Sequence, residues 1–162
     1  MKVNAALSLA LLCLCTIIAP SQGSIRVIDV APVEYHDVEG FVLEGYKAMP
    51  DLAMNKDVPA VVIVPDWDGV NTYEQQRATL LAEMGYVGFA ADIYGMNDHF
   101  VEAERRGELA TLYRKNVTLF VQRIKAAVDL VKTMDGVDPD NVAVIGYCWG
   151  GSGVLVRMLK ML

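Results

Sequence analysis

Residues 142–151, VAVIGYCWGG, constrain this chain more than any other segment. A short apolar run rich in β-branched residues passes into Gly-x-Cys-x-Gly, and an apolar stretch of helical character follows. A buried strand that turns directly into a helix needs a sharp reversal. Gly146 and Gly150 carry no Cβ, so strand and helix can close around the residue between them. Cys148 is therefore expected at the tip of the turn in a strained backbone conformation. The helix N-terminus behind it favours negative charge, and hence the thiolate. The glycines do not spell a dinucleotide-binding loop, because Val156 stands where the third glycine would be needed, and no Walker motif occurs. Ser152 is a poor rival nucleophile, since it falls inside the first helical turn.

The remaining segments supply a scaffold for that turn. Residues 33–36 and 41–46 read as strands around a turn at residues 37–40. A polar loop, residues 50–59, leads into Ala60-Val61-Val62-Ile63-Val64, whose unbroken apolar character suits a strand covered on both faces. Asn71 followed by Glu74 predicts a capping box and a helix that ends near Met84-Gly85. Residues 86–91 return as a strand. Apolar residues at three- and four-residue steps predict one helix over residues 108–134, stopped by Gly136 and an Asp138-Pro139-Asp140 turn. Strands alternating with helices, the strands apolar throughout, imply an α/β fold with a parallel sheet.

Residues 1–23 stand apart. Lys2 precedes an apolar run from Ala5 to Ala19, and small Ser21 and Gly23 follow at the spacing a signal peptidase needs. The expectation is a secretory signal cleaved after Gly23. The run is short for a membrane span, so no membrane association is expected after cleavage, and the product would be secreted or held in an internal compartment. Cys13 and Cys15 lie within that signal, which leaves Cys148 as the lone cysteine of residues 24–162. An unpaired cysteine in an exported chain is a buried filler, an intermolecular bridge or a reactive thiol, and the turn around Cys148 favours the last. With 20 acidic against 14 basic residues and a net charge of −6, the chain lacks the basic patch that a nucleic-acid partner requires. One cysteine and two distant histidines, His36 and His99, give no metal-ligand spacing, and no cofactor is implied. Asn116-Val117-Thr118 is an N-glycosylation sequon, with Asn116 the candidate acceptor in a eukaryotic source.

GYCWGG after a VAVI strand resembles the dienelactone hydrolase family. So do Val61 to Asn71, the Gly85-Tyr86 and Ala91-Asp92-Ile93-Tyr94-Gly95 segments, and Leu43-x-Gly45-Tyr46, all in the family's order. The resemblance covers roughly residues 35–160. It implies an α/β-hydrolase-type, mostly parallel sheet with helices on both faces, here incomplete at the C-terminus. It also implies hydrolysis of small-molecule esters or lactones through Cys148 as nucleophile and an acyl-enzyme. Asp66 takes the place of the family's acid, which holds the resting thiol by a hydrogen bond. The backbone N–H groups of Trp67 and Trp149 take the places of the two oxyanion donors. Met96 stands where bacterial members carry an arginine for the substrate carboxylate, so dienelactone itself fits poorly.

The family's nucleophile works with an acid and a histidine placed after it in the chain. The sequence ends at Leu162, fourteen residues after Cys148, and neither His36 nor His99 stands where the family's base stands. Two readings of function follow. One is a cysteine hydrolase of which residues 24–162 are the N-terminal portion. The other is an α/β-hydrolase-fold binding protein, or an inactive fragment, lacking the catalytic Asp and His.

Overall fold

In a computed structural model, residues 25–98 and 102–159 are described. The expected signal segment and His99 lie outside the described residues. The turn predicted at residues 37–40 joins β1 (Val27–His36) to β2 (Val42–Pro50) as an antiparallel hairpin. Asp37 shapes that turn: its Oδ1 accepts the N–H groups of Glu39 and Phe41 at 2.9 and 2.8 Å, while Gly40 takes up a φ of 79°. The polar stretch that follows is partly a 3-10 turn, Asp51–Met54, and leads into β3 (Val58–Val64).

Helix α1 (Thr72–Glu83) starts where the capping box placed it. The Asn71 side chain accepts the Tyr73 N–H, and Glu74 Oε2 accepts the Asn71 N–H at 3.1 Å. After Gly85, at a φ of 92°, β4 (Val87–Ala90) runs parallel to β3. The sheet order is β1-β2-β4-β3-β5. Strands β4, β3 and β5 (Val137–Gly146) are parallel to one another, and the hairpin joins the outer side of β4 in antiparallel pairing. The result is a mixed five-stranded sheet.

Side-chain alternation along β3 sets what covers each face. Val58, Ala60 and Val62 join Val87, Phe89, Ala127 and Val131 in one core beneath α3 (Val117–Val131). Ile63 points the other way, into a smaller core with Ala48 and with Ala78 and Ala82 of α1. Gly88 lets α1 lie against the sheet there: a Cβ on it would come within 2.3 Å of the Ala78 carbonyl oxygen. Helix α1 thus covers one face, while α3 and α4 (Trp149–Leu159) cover the other.

The single helix expected over residues 108–134 is two helices, α2 (Ala103–Lys115) and α3. The break falls at Asn116, which leaves helical geometry (φ −106°, ψ 72°) and uses its side chain to accept the Leu119 N–H at 3.1 Å. An asparagine competes for backbone donors in this way and favours a cap over a helix interior. The apolar period survives the break because both helices feed one core, Leu109 and Tyr113 from α2, Phe120 and Ile124 from α3. The Asp138-Pro139-Asp140 turn also forms, but as an irregularity inside β5. Pairing jumps from Val58 opposite Val137 to Ala60 opposite Val142, and Asp138 accepts from Asp140 and Asn141 across the bulged residues.

One charged pair is sealed inside this scaffold. Arg123 of α3 and Asp37 of the hairpin turn are 4% and 7% exposed, and their Nε and Oδ2 atoms lie 3.3 Å apart. The guanidinium also lies 3.9 Å above the Phe41 ring. Removing one partner of a buried pair strands the other charge. Arg123→Met is accordingly expected to lose about 3 kcal/mol of stability. The double variant Asp37→Asn/Arg123→Met should regain part of that loss. Urea denaturation midpoints of the three proteins check both statements.

Candidate active site

The site is built where β3 and β5 end side by side. Their parallel register closes with Val64 opposite Gly146, so the residues after both strands emerge at one edge of the sheet. The Tyr147 N–H donates to the Val64 carbonyl at 3.2 Å, and the Gly150 N–H donates to the Tyr147 carbonyl at 2.8 Å, closing the turn. A Cβ on Gly150 would lie 2.2 Å from the Pro65 carbonyl oxygen, and one on Gly146 would lie 2.6 Å from the Gly150 backbone. Both glycines are thus required by contact. The turn presses the start of α4 against the chain leaving β3.

Cys148 pays for this closeness in backbone strain. Its φ of 46° is the one positive value at a non-glycine residue among the described residues. Such strain persists only where surrounding packing enforces it, and it collects at functional positions. The thiol is exposed and stands immediately before the first residue of α4. Trp149 points the opposite way, 2% exposed, with its indole N–H donating to the Ala110 carbonyl at 3.1 Å and its ring stacked 4.2 Å from Phe120.

Asp66 and Trp67 follow β3 at the same edge. The Asp66 side chain accepts the Asp68 N–H at 3.0 Å, and its carbonyl accepts the Gly69 N–H at 3.3 Å. Its carboxylate is thus bonded to its own loop. Asp68 is held in turn by the Asn71 amide at 3.1 Å and faces Arg106 of α2 at 3.8 Å. Burial raises the Asp68 carboxyl to about 6, helped by a hydrogen bond with Asp66 and by its charge, and opposed by Arg106. Glu74 lies beneath this loop, wholly buried, with Oε1 lacking a hydrogen-bond partner among the described residues. Burial lifts its carboxyl to about 7; the N–H groups of Asn71 and of Glu74 itself lower it, and Asp66 and Asp68 add to the rise.

A family model described as the dienelactone hydrolase family matches residues 43–160, most of the chain. The chain belongs to the dienelactone hydrolase family. It is 26% identical over 121 residues to a putative carboxymethylenebutenolidase of Methylorubrum extorquens, covering 68% of this chain and 38% of that protein. A protein of the same description from Yersinia pestis is 29% identical over 118 residues, covering 70% and 42%. Among solved structures, a dienelactone hydrolase-like promiscuous phosphotriesterase from metagenomic libraries matches with a TM-score of 0.74 at 26% identity, covering 82% of this chain and 54% of that one. The chain thus spans less than half the length of these two curated relatives.

In dienelactone hydrolase terms, the structure brings Cys148, Trp149, Asp66 and Trp67 to one sheet edge. Met96 is 42% exposed in the loop after β4. His36 ends β1, at the same edge but four strand spacings from β5, or ~19 Å. Asn116 is exposed at the junction of α2 and α3. The sequence alone assigns no site role to Asp68, Arg106 or Tyr94. Asp68 carried a signal, a second acid two residues after Asp66. The other two gave none, because their partners here lie on other elements.

The folded protein holds the Glu74 proton to higher pH than the unfolded chain does. Its contribution to stability is therefore complete below the ordinary glutamate value of 4.5 and is lost as pH rises towards 7. Glu74→Gln is expected to flatten that decline, the wild-type protein losing on the order of 1–2 kcal/mol more than the variant between pH 5 and pH 8. Urea midpoints measured at the two pH values check the difference.

Proposed function

We propose that the protein is a hydrolase of ester or lactone bonds in small molecules, with Cys148 as nucleophile. The observation that carries this reading is the strained, exposed cysteine at the tip of the strand-to-helix turn, placed at the start of α4. A helix N-terminus favours negative charge that develops beside it. The thiolate sulfur attacks the carbonyl carbon, and the carbonyl oxygen gains the negative charge. The backbone N–H groups of Trp67 and Trp149 are the proposed donors to that oxyanion. Collapse of the tetrahedral intermediate breaks the C–O bond, and the alcohol leaves with the electron pair and takes up a proton. Water then adds to the thioester, releasing the acid and restoring the thiol.

The relatives' descriptions support the substrate class, and Met96 refines it. With a methionine where bacterial members carry an arginine, the loop after β4 offers an exposed apolar contact, which suits an acyl group without a carboxylate. Secretion, by way of the segment at residues 1–23, is proposed alongside.

The two half-reactions make different demands. Acylation uses the thiolate and the two amides. Deacylation needs a positioned base to activate water, worth about 10²–10⁴-fold. Among the described residues the one histidine, His36, lies ~19 Å away by strand count. The protein is expected to release about one equivalent of p-nitrophenol from p-nitrophenyl acetate in a burst that reports acylation of Cys148. Cys148→Ala should abolish the burst, and mass spectrometry should find the acetyl group on the peptide that contains Cys148. A burst that survives Cys148→Ala refutes the assignment of the nucleophile. A folded chain that gives no acyl adduct points to a binding protein instead.

A further inference from the structure

The two proposed oxyanion donors come from different loops. Trp67 follows β3 and Trp149 follows β5, so neither backbone alone sets the distance between their amides. A third loop reaches both residues. Tyr94, in the loop after β4, donates its hydroxyl to the Trp67 carbonyl at 2.7 Å, and its ring lies 5.5 Å from that of Trp149, centroid to centroid.

We propose that Tyr94 is a positioning residue that holds the two oxyanion-binding amides in register, its hydroxyl fixing the Trp67 loop and its ring bracing Trp149. The inference rests on the reading of Cys148 as nucleophile with the Trp67 and Trp149 amides as donors.

Each link has a structural basis. The Trp67 carbonyl and the Trp67 N–H belong to peptide planes that meet at one Cα. Holding the carbonyl restricts rotation of the neighbouring plane, already limited on its other side by the bond from the Asp68 N–H to Asp66. The Tyr94 ring also lies under the same loop, where a Cβ on Gly69 would meet its Cδ2 at 3.2 Å. On the Trp149 side, the indole is fixed by the Ala110 carbonyl, by the Phe120 ring and by Tyr94, and Trp149 is the first residue of α4. Motion of the indole is thereby coupled to the backbone amide beside the nucleophile.

Tyr94 is itself rigidly mounted. It is 3% exposed, and its N–H and that of Gly95 both donate to Asp92 Oδ1 at 2.9 Å. Asp92 Oδ2 accepts the Glu44 N–H at 3.0 Å, and the Asp92 carbonyl accepts the Tyr35 hydroxyl at 3.0 Å. The loop after β4 is thus tied to both strands of the hairpin. Burial, with Asp66 and Asp68 adding to it, pushes the Tyr94 phenol well above its ordinary value. The hydroxyl consequently stays protonated, and a donor, throughout the pH range in which a thiol ester chemistry runs.

The test separates positioning of the amides from general upkeep of the turn. Attack on p-nitrophenyl acetate develops an oxyanion, whereas alkylation by iodoacetamide displaces iodide at carbon and develops none. Both need the Cys148 thiolate. Tyr94→Phe removes the hydroxyl and keeps the ring. In the full chain it is expected to slow the p-nitrophenol burst by about tenfold or more, with the burst amplitude unchanged and the alkylation rate of Cys148 within about twofold of wild type. Trp149→Phe retains the amide and shrinks the ring that Tyr94 braces. It should show the same split, and it provides a second route if Tyr94→Phe folds poorly. Acylation and alkylation slowed equally would mean that Tyr94 merely maintains the turn, overturning the proposal. So would a burst rate in Tyr94→Phe equal to that of a wild type whose burst depends on Cys148, and in that case the hydrolase reading would still stand. A wild-type burst independent of Cys148 would remove both.

Discussion

The parallel pairing of β3 with β5 is the interaction on which the site depends. It brings two strand ends, separated by about eighty residues of chain, to a common edge, with Val64 and Gly146 as the last partners. Ligands of open α/β sheets gather outside the carboxyl ends of the strands for this reason. Everything chemical follows from what comes next on each strand, an acid and a tryptophan on one, a cysteine and a tryptophan on the other. The glycines after β5 then bring the two exits into backbone contact. A side chain at Gly150 would collide with the Pro65 carbonyl, so the geometry of one loop cannot drift without moving the other.

The loop after β3 is organised by polar contacts where the strand beneath it is wholly apolar. Asp66, Asp68, Asn71 and Glu74 hand hydrogen bonds along residues 66–74, Arg106 leans on Asp68, and Tyr94 closes on the Trp67 carbonyl. Clustered acids are costly when partly buried, and the raised Asp68 and Glu74 carboxyls record that cost. Their arrangement fixes a loop that carries no regular secondary structure, and this substitutes for the ladder of bonds that a strand or helix would have.

What could be read from the sequence was local. The strand-to-helix turn, the Asn71–Glu74 capping box, the Asp37–Gly40 turn and the apolar β3 are each coded within ten residues, and all are present. The helix break at Asn116 was hidden because α2 and α3 line the same core, so the apolar period ran through it; the asparagine was the available signal. Arg123, one position before Ile124 on the apolar face of α3, was another, since a cation there demands a buried partner. That the partner is Asp37 could not be read, because it sits in the hairpin, more than eighty positions away. The antiparallel docking of β2 on β4 and the reach of Tyr94 to Trp67 are likewise properties of the sheet order, to which periodicity along a segment is blind.

The two tryptophans of the chain flank the proposed oxyanion site, and they sit in opposite surroundings. Trp149 is enclosed by Tyr94, Tyr113 and Phe120, while Trp67 is 42% exposed. Their light emission is therefore separable. The enclosed indole should fluoresce at shorter wavelength and collect energy from its tyrosine neighbours, and the exposed one should fluoresce further to the red and respond to soluble quenchers. The protein thus carries an intrinsic optical reporter on each wall of its site, able to register a shift of one loop against the other without any added label.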